Sequence, residues 1–255
     1  MMGLRDEDAL LEKRFFELAG RSFRNGIFLF TDFLSVGEQA VFFEMERELK
    51  FAGCELYGGT ERCERRMLRF GSEEACGYEA EFPIACVRIR PAQKKFADEL
   101  THRDVLGALM HLGVERGVLG DIFVKEQEAV LFCRDSMADF VAENLVRIRH
   151  TTVICALIDE IPPGLAPKLR AEELVVSSDR ADGIVAKVYG LSRSESLGLF
   201  RQKKIFVNGR KYENNSGVLK DGDLVSVRGY GRFIFEGTLR ETKKGRNRIK
   251  ISRYI

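Results

Sequence analysis

The sequence predicts an α+β protein of three small domains, and three observations carry that reading. Between Ile84 and Ile158 the apolar runs follow the order strand–helix–strand–strand–helix–strand, which is the split βαβ or ferredoxin-like plait, the RRM-like architecture. Ahead of it lie two stretches with helical apolar spacing and a glycine-turned hairpin; behind it Pro162-Pro163-Gly164 and Pro167 make a stiff, turn-prone break. Charge then changes sign. Residues 177–255 hold 18 Lys+Arg against 8 Asp+Glu, or +10, and the chain totals of 41 and 39 leave 23 and 31, or −8, for residues 1–176. The expected boundaries are 1–80 for a helical-plus-hairpin domain, 82–162 for the RRM-like plait as a candidate RNA-binding domain, 163–177 for a linker and 178–255 for a basic RNA-binding domain.

In the front domain, Leu10, Leu11, Phe15, Phe16, Leu18 and Ala19 form an apolar helical stripe over residues 1–26. Ile27–Phe30 is a short buried run. Ser35 with Glu38 is a capping box that opens a helix to about Lys50. Cys54–Tyr57 and Arg66–Phe70 read as strands around Gly58-Gly59. Arg62, Arg65, Arg66 and Arg69 enrich the second strand in charge, as a minor RNA-facing patch or as a solvated edge strand.

In the plait, Ile84–Arg90 is a strand, Arg103–Leu112 a helix, and Asp121–Lys125 with Ala129–Cys133 a hairpin; Ser136–Val146 is a helix and Thr152–Ile158 a strand. The aromatic signature of sheet-stacking RNA-recognition domains is absent from Gln127–Cys133. Thr101-His102-Arg103-Asp104, with Asp121 downstream, is the most catalytic-looking set. Thr101 as N-cap with Asp104 three residues on explains it as helix capping instead. His102 and Arg103 are left as a secondary RNA contact. Gly113, Gly117 and Gly120 fit neither phosphate-loop spacing.

The basic domain opens on Asp179–Asn208. Ser178 or Asp179 is the expected cap of a helix carrying Ile184, Val185, Val188 and Leu191, which Gly190 closes. Ser192 and Glu195 form another capping box, Leu197 and Phe200 supply the apolar face, and Asn208-Gly209 signals a hairpin. A helix start offers unpaired N–H groups and partial positive charge to an anion. Arg193 can fork onto a phosphate there, and Ser194 and Ser196 can donate hydroxyls. Arg180, Arg201, Lys203 and Lys204 surround that point. Arg228 and Arg232 in the RGYGRF run, and Lys243, Lys244 and Arg246 at a hairpin tip, extend the cationic surface.

Composition removes several other classes. Hydrophobic residues make up 45% of the chain, as in ordinary globular proteins. The start is charged from Arg5 onward, unlike a signal peptide, and no apolar run approaches the roughly 18 residues of a spanning helix. A cytoplasmic protein without membrane contact is expected. None of Cys54, Cys63, Cys76, Cys86, Cys133 and Cys155 forms a C-x-x-C pair, and His102, His111 and His150 are not at zinc spacing. Six reduced thiols, no metal and no cofactor follow.

Arg180-Ala-Asp182, then Ser192-Arg193-Ser194-x-Ser196, then a basic turn into Val207-Asn208-Gly209 resembles the αL motif of the S-four RNA-binding domain. That domain recurs in pseudouridine synthases, tyrosyl-tRNA synthetases and heat-shock protein fifteen. The family has Gly in the turn before the strand. Here Lys203 stands there, so either Lys203 takes positive φ or the turn differs. Over the full chain, THRDVLGALMHLG, Gly120-Asp121-Ile122, Ser226-Val-Arg-Gly-x-Gly-Arg-Phe and TKKGRNRI together resemble the YlmH family of RNA-binding proteins. The resemblance implies a plait-like middle domain and an S-four domain whose RNA-binding set is Arg180, Asp182, Arg193, Ser194, Arg201, Lys203, Lys204, Arg228, Arg232, Lys243, Lys244 and Arg246. It also implies binding to ribosomal RNA and tRNA on the large ribosomal subunit, in rescue of stalled nascent chains; separately from the resemblance, a monomer with no DNA partner is expected.

Two rival readings differ in class. An RNA-modifying enzyme would use the basic domain as a handle, but the Gly-Arg-Leu-Asp pattern of pseudouridine synthases, a methyl-donor loop and synthetase signatures are missing. A protein adaptor with a basic tail would bind acidic partners or membranes, but no basic amphipathic helix of membrane type is present. The expectation is therefore a noncatalytic RNA-binding factor.

Overall fold

The computed structural model describes residues 4–242 and 245–254, and the chain divides into two compact units, 1–166 and 167–255.

The first unit opens with α1 (Leu4–Asn25), β1 (Leu29–Phe30), α2 (Val36–Leu49), β2 (Cys54–Tyr57), β3 (Met67–Phe70) and the single turn α3 (Glu73–Cys76). The Ser35–Glu38 capping box starts α2 as expected. Phe15 and Ala19 of α1 and Val41, Phe42, Met45 and Leu49 of α2 bury against Leu68 and Phe70 of β3. The small sheet has the order β1-β3-β2, so β3 is central. Its Arg69 is therefore on no edge, and of the four arginines only Arg62, ahead of the strand, is exposed. Arg69 lies over the Phe28 and Phe82 rings and pairs with Glu55, while Arg66 donates to the Cys63 and Glu61 carbonyls.

The plait follows as β4 (Ile84–Pro91), α4 (His102–His111), β5 (Leu119–Lys125), β6 (Glu128–Arg134), α5 (Asp135–Asn144), β7 (Arg147–Ile148) and β8 (Thr151–Ile158). The antiparallel order is β5-β6-β4-β8-β7. Alternation sends Val87, Ile89, Leu131, Cys133 and Val153 under α4 and α5, against Val105, Leu109 and Val141. The other face sends Phe123, Val130 and Phe132 against Phe33, Cys63 and Met67 of the front piece. Residues 1–80 and 82–162, distinct in the sequence, share this second core and form one unit.

Two glycines allow that contact. A Cβ on Gly120 would stand 2.8 Å from Phe33 Cε1 and 3.0 Å from Phe132 Cβ; one on Gly59 would stand 2.3 Å from Phe132 Cδ1. Asp121 fastens the same seam. Its carboxylate accepts the Glu64 and Arg65 amides, while Arg65 Nη2 reaches the Phe33 carbonyl at 2.6 Å. Burial raises the Asp121 pKa against the pull of those two amides and of Arg65 and Arg116. The GDI triplet is thus a packing device.

The second unit contains β9 (Leu169–Val176), α6 (Ala181–Tyr189), α7 (Arg193–Arg201), β10 (Ile205–Val207), β11 (Arg210–Lys211), β12 (Leu224–Val227), β13 (Gly231–Glu241) and β14 (Asn247–Tyr254). Its sheet has the order β11-β10-β12-β13-β14-β9. The stretch expected as a linker, 163–177, therefore contains an eight-residue edge strand, paired with β14 from Val176–Asn247 to Leu169–Tyr254. Ile184, Val185, Val188, Leu199 and Phe200 of the two helices cover one face, over Val225, Phe233 and Ile251. Asn208 and Gly209, with φ of 49° and 73°, make the tight β10–β11 turn.

Candidate nucleic-acid interface

The helix pair of the second unit is locked by polar contacts that also aim its arginines. Neither Ser178 nor Asp179 caps α6. The loop before β12 crosses the helix start, and the Gly217 and Asn215 carbonyls accept the Ala181 and Asp182 amides at 2.8 and 3.0 Å. That leaves Asp179 to accept from Asn247 Nδ2 at 2.6 Å and Thr238 Oγ1 at 3.1 Å, which ties the β13–β14 hairpin to this end. Gly190 closes α6 with φ of 65°, and the Ser192–Glu195 capping box opens α7 at once.

Asp182 is the centre of the arrangement. Its side chain is 2% exposed; Arg180 Nε and Nη2 donate to its two oxygens at 3.1 and 3.0 Å, and the Gly183 amide adds a third bond at 2.9 Å. Arg193 Nε lies 3.8 Å away on the start of the next helix. Burial pushes the Asp182 pKa up, but the bonds from Arg180, its charge, the Gly183 amide and the Asn215 side chain together hold it below the ordinary 3.8. Asp182 therefore meets the two guanidinium groups rather than an outside ligand. It positions Arg180, half-exposed, beside Arg193, 72% exposed. Ser196 is corrected likewise: it is fully buried, and its hydroxyl donates to the Asp182 carbonyl at 2.8 Å, which joins α7 to α6. Ser194 stays exposed beside Arg193.

The other expected residues fall into separate groups. Arg201, Lys203 and Lys204 sit at the far end of α7, about 13 Å along a nine-residue helix. Lys203 does take positive φ, 54°, and its ammonium lies 3.1 Å from Glu213. The Lys204 carbonyl accepts the Arg228 amide at 3.0 Å, which brings the RGYGR loop to that end. Arg232 lies on the sheet face away from the helices, opposite Ser226. Arg246 lines a shallow cavity of about 420 Å³ with Val175, Gly183, Lys187, Gly190 and Leu191. Lys243 and Lys244 lie outside the described residues.

In the first unit, His102 and Arg103 are exposed at the start of α4, and Thr101 and Asp104 form the expected capping box. The sequence reading missed their neighbours. Arg149 Nη1 lies 3.8 Å from Asp104, and Arg147 Nε donates to the Arg149 carbonyl at 3.0 Å, so the β7–β8 turn adds basic groups beside α4. The signal was present as Arg147, Arg149 and His150 within four residues.

Among the described residues no group of His, Cys, Asp and Glu is placed to hold a metal, and no helix is long and apolar enough to cross a membrane. The cysteines are free thiols; burial pushes Cys86 and Cys133 up to about 12, so they remain protonated.

Residues 78–160, the plait, match the family model described as "Putative RNA-binding domain in YlmH". Across 227 residues the chain is 31% identical to the "Ribosome-associated protein quality control protein P2" of Bacillus subtilis (strain 168), covering 88% of this chain and 86% of that protein. The chain belongs to the YlmH family. A solved YlmH structure, "Cell division protein ylmH from Streptococcus pneumoniae", is 16% identical with a TM-score of 0.49, over 62% of this chain and 93% of that one. In this YlmH-family chain the matched plait has part of its sheet sealed: Phe123, Val130 and Phe132 are buried beneath the front piece. Exposed on the plait are Arg90 of β4, Ile154 and Leu157 of β8, and the basic corner around His102, Arg103 and Arg149, while Arg88 is held by Glu128.

Proposed function

We propose that this protein is a noncatalytic RNA-binding factor that docks folded RNA, ribosomal RNA or tRNA, on the large ribosomal subunit, through an S-four-type C-terminal unit. The observation that carries the reading is the Asp182 pivot. One buried carboxylate holds Arg180 at the start of α6 and draws Arg193 in at the start of α7, with exposed Ser194 alongside. Arg180, fixed by its paired bonds to Asp182, and Arg193, drawn near the same carboxylate, form a cationic cup for backbone phosphates at adjoining helix starts, with part of the ordering done before binding. The second-unit charge of +10 over residues 177–255 adds long-range attraction. The family relative named for ribosome-associated quality control supports the ribosomal setting, and rescue of stalled nascent chains is the role the resemblance to the family implies within it.

The test is binding of a structured ribosomal RNA fragment, read by fluorescence anisotropy across a salt series. Affinity should fall linearly with salt on logarithmic axes. Arg193→Glu should lower it by about tenfold or more at low salt, with unchanged circular dichroism. Coincident binding curves for variant and parent would refute the site.

A further inference from the structure

The C-terminal sheet has a second face, and its arginines are arranged differently from those of the helix pair. Along β10, β12, β13 and β14, Ile205, Val225, Val227, Phe233 and Ile251 point into the core beneath α6 and α7. Alternation then places Phe206, Ser226, Arg232 and Tyr254 on the opposite side. The register aligns them in one band: Phe206 faces Ser226, and Ser226 faces Arg232. Arg228, just past β12, lays its guanidinium over the Phe206 ring at 4.7 Å. Arg232 lies over the Tyr254 ring at 4.9 Å. Both arginines are exposed while both rings are half-buried.

An arginine lying on a ring is ordered before any ligand arrives, and a planar guanidinium can stack on both of its sides. A phosphate binds the N–H edge of a guanidinium, whereas a nucleobase binds its flat side. Only three residues, Arg228-Gly229-Tyr230, connect the paired ends Val227 and Gly231, so the two stacks flank one tight hairpin tip.

We propose that this face binds unpaired RNA bases, stacked on the planes of Arg228 and Arg232, while the helix pair on the other side of the same sheet takes folded RNA backbone. The inference rests on the RNA-binding reading above and deepens it, from phosphates to bases and from one face to two. The second unit then lies between two segments of RNA, one paired and one single-stranded.

The test uses the full chain and two labelled probes with equal numbers of phosphates, a single-stranded oligouridylate and a blunt RNA duplex. The variant is Arg228→Lys with Arg232→Lys, which keeps the charge, removes the planes and changes only exposed positions. Single-strand affinity should drop about tenfold and duplex affinity less than about twofold. Tyr254→Leu, which removes a ring without touching charge, should lower single-strand affinity in the same direction. Equal losses on both probes, or no loss on either, would overturn the proposal. Arg193→Glu separates the two readings. If it spares the duplex while the lysine pair still loses the single strand, the helix-pair site fails and the base-stacking face stands.

Discussion

The plait sheet and the C-terminal sheet are both antiparallel, and each has helices packed on one side. They differ in what lies on the other side. In the plait, β5 and β6 turn Phe123, Val130 and Phe132 outward, and the front piece seals them with Phe33, Cys63 and Met67. In the C-terminal sheet the corresponding side carries Phe206, Arg232 and Tyr254, with arginines rather than another layer of chain over the rings. The first arrangement removes apolar surface from water and produces a second core. The second keeps rings half-covered by cations that still meet solvent. Charge follows the same division, −8 over residues 1–176 and +10 over 177–255. The two sheets thus differ in what covers the face away from their helices.

This contrast can be broken at the seam of the first unit. Asp121→Ala removes the acceptor of two backbone amides and leaves Arg65 and Arg116 facing each other. Because these groups are half-buried, we expect a loss of about 2–3 kcal/mol, below the full cost of a broken buried pair. Thermal melts should record it, while affinity for folded RNA stays at the parent value. A fall in affinity matching the fall in stability would erase the distinction between the units.

A smaller change sharpens the contrast from the other side. Asp182→Asn keeps the shape but frees Arg180 and Arg193 from their shared anchor. RNA affinity should fall roughly fivefold to tenfold, with a modest decrease in melting temperature. The same carboxyl sets an acid limb. Its folded pKa lies below 3.8, so its contribution is complete above about pH 4 and is lost as pH falls through the lowered value. Stability measured from pH 5 downward should show that limb in the parent and a flatter one in Asp182→Asn; identical profiles would count against the pivot.

The least effect is expected at the turn after α7. Lys203 holds φ of 54°, a conformation that costs a side-chain-bearing residue about 1–2 kcal/mol and glycine almost nothing. Lys203→Gly should raise stability by about 0.5–1 kcal/mol after the added freedom of the unfolded chain is counted. Its exposed pair with Glu213 contributes little to oppose this. Destabilisation in a denaturant titration would contradict it.

Much of this was legible because the signals were local. Ser35, Thr101 and Ser192 each carry their capping partner three residues on, and all three boxes form. Asn208-Gly209 specified its turn, and apolar order specified the plait strands. What escaped depended on distant chain. The strand Leu169–Val176 is charged and lies on an edge, and its partner is β14, far along the sequence. The start of α6 looked as if it needed a side-chain cap because nothing local shows that the Gly217 and Asn215 carbonyls close it. Asp182 and Ser196 read as ligand groups because burial is a property of the packed helix pair. Arg69 and Asp121 read as surface or catalytic groups for the same reason, since their roles need the front piece folded against the plait.

The most direct test of RNA binding through the second unit is photocrosslinking of the full chain to a structured ribosomal RNA fragment, followed by peptide mapping. The account predicts adducts on the peptides that carry Arg180, Arg193–Lys204 and Arg228–Arg232. Adducts confined to residues 78–160, with those peptides clean, would contradict it.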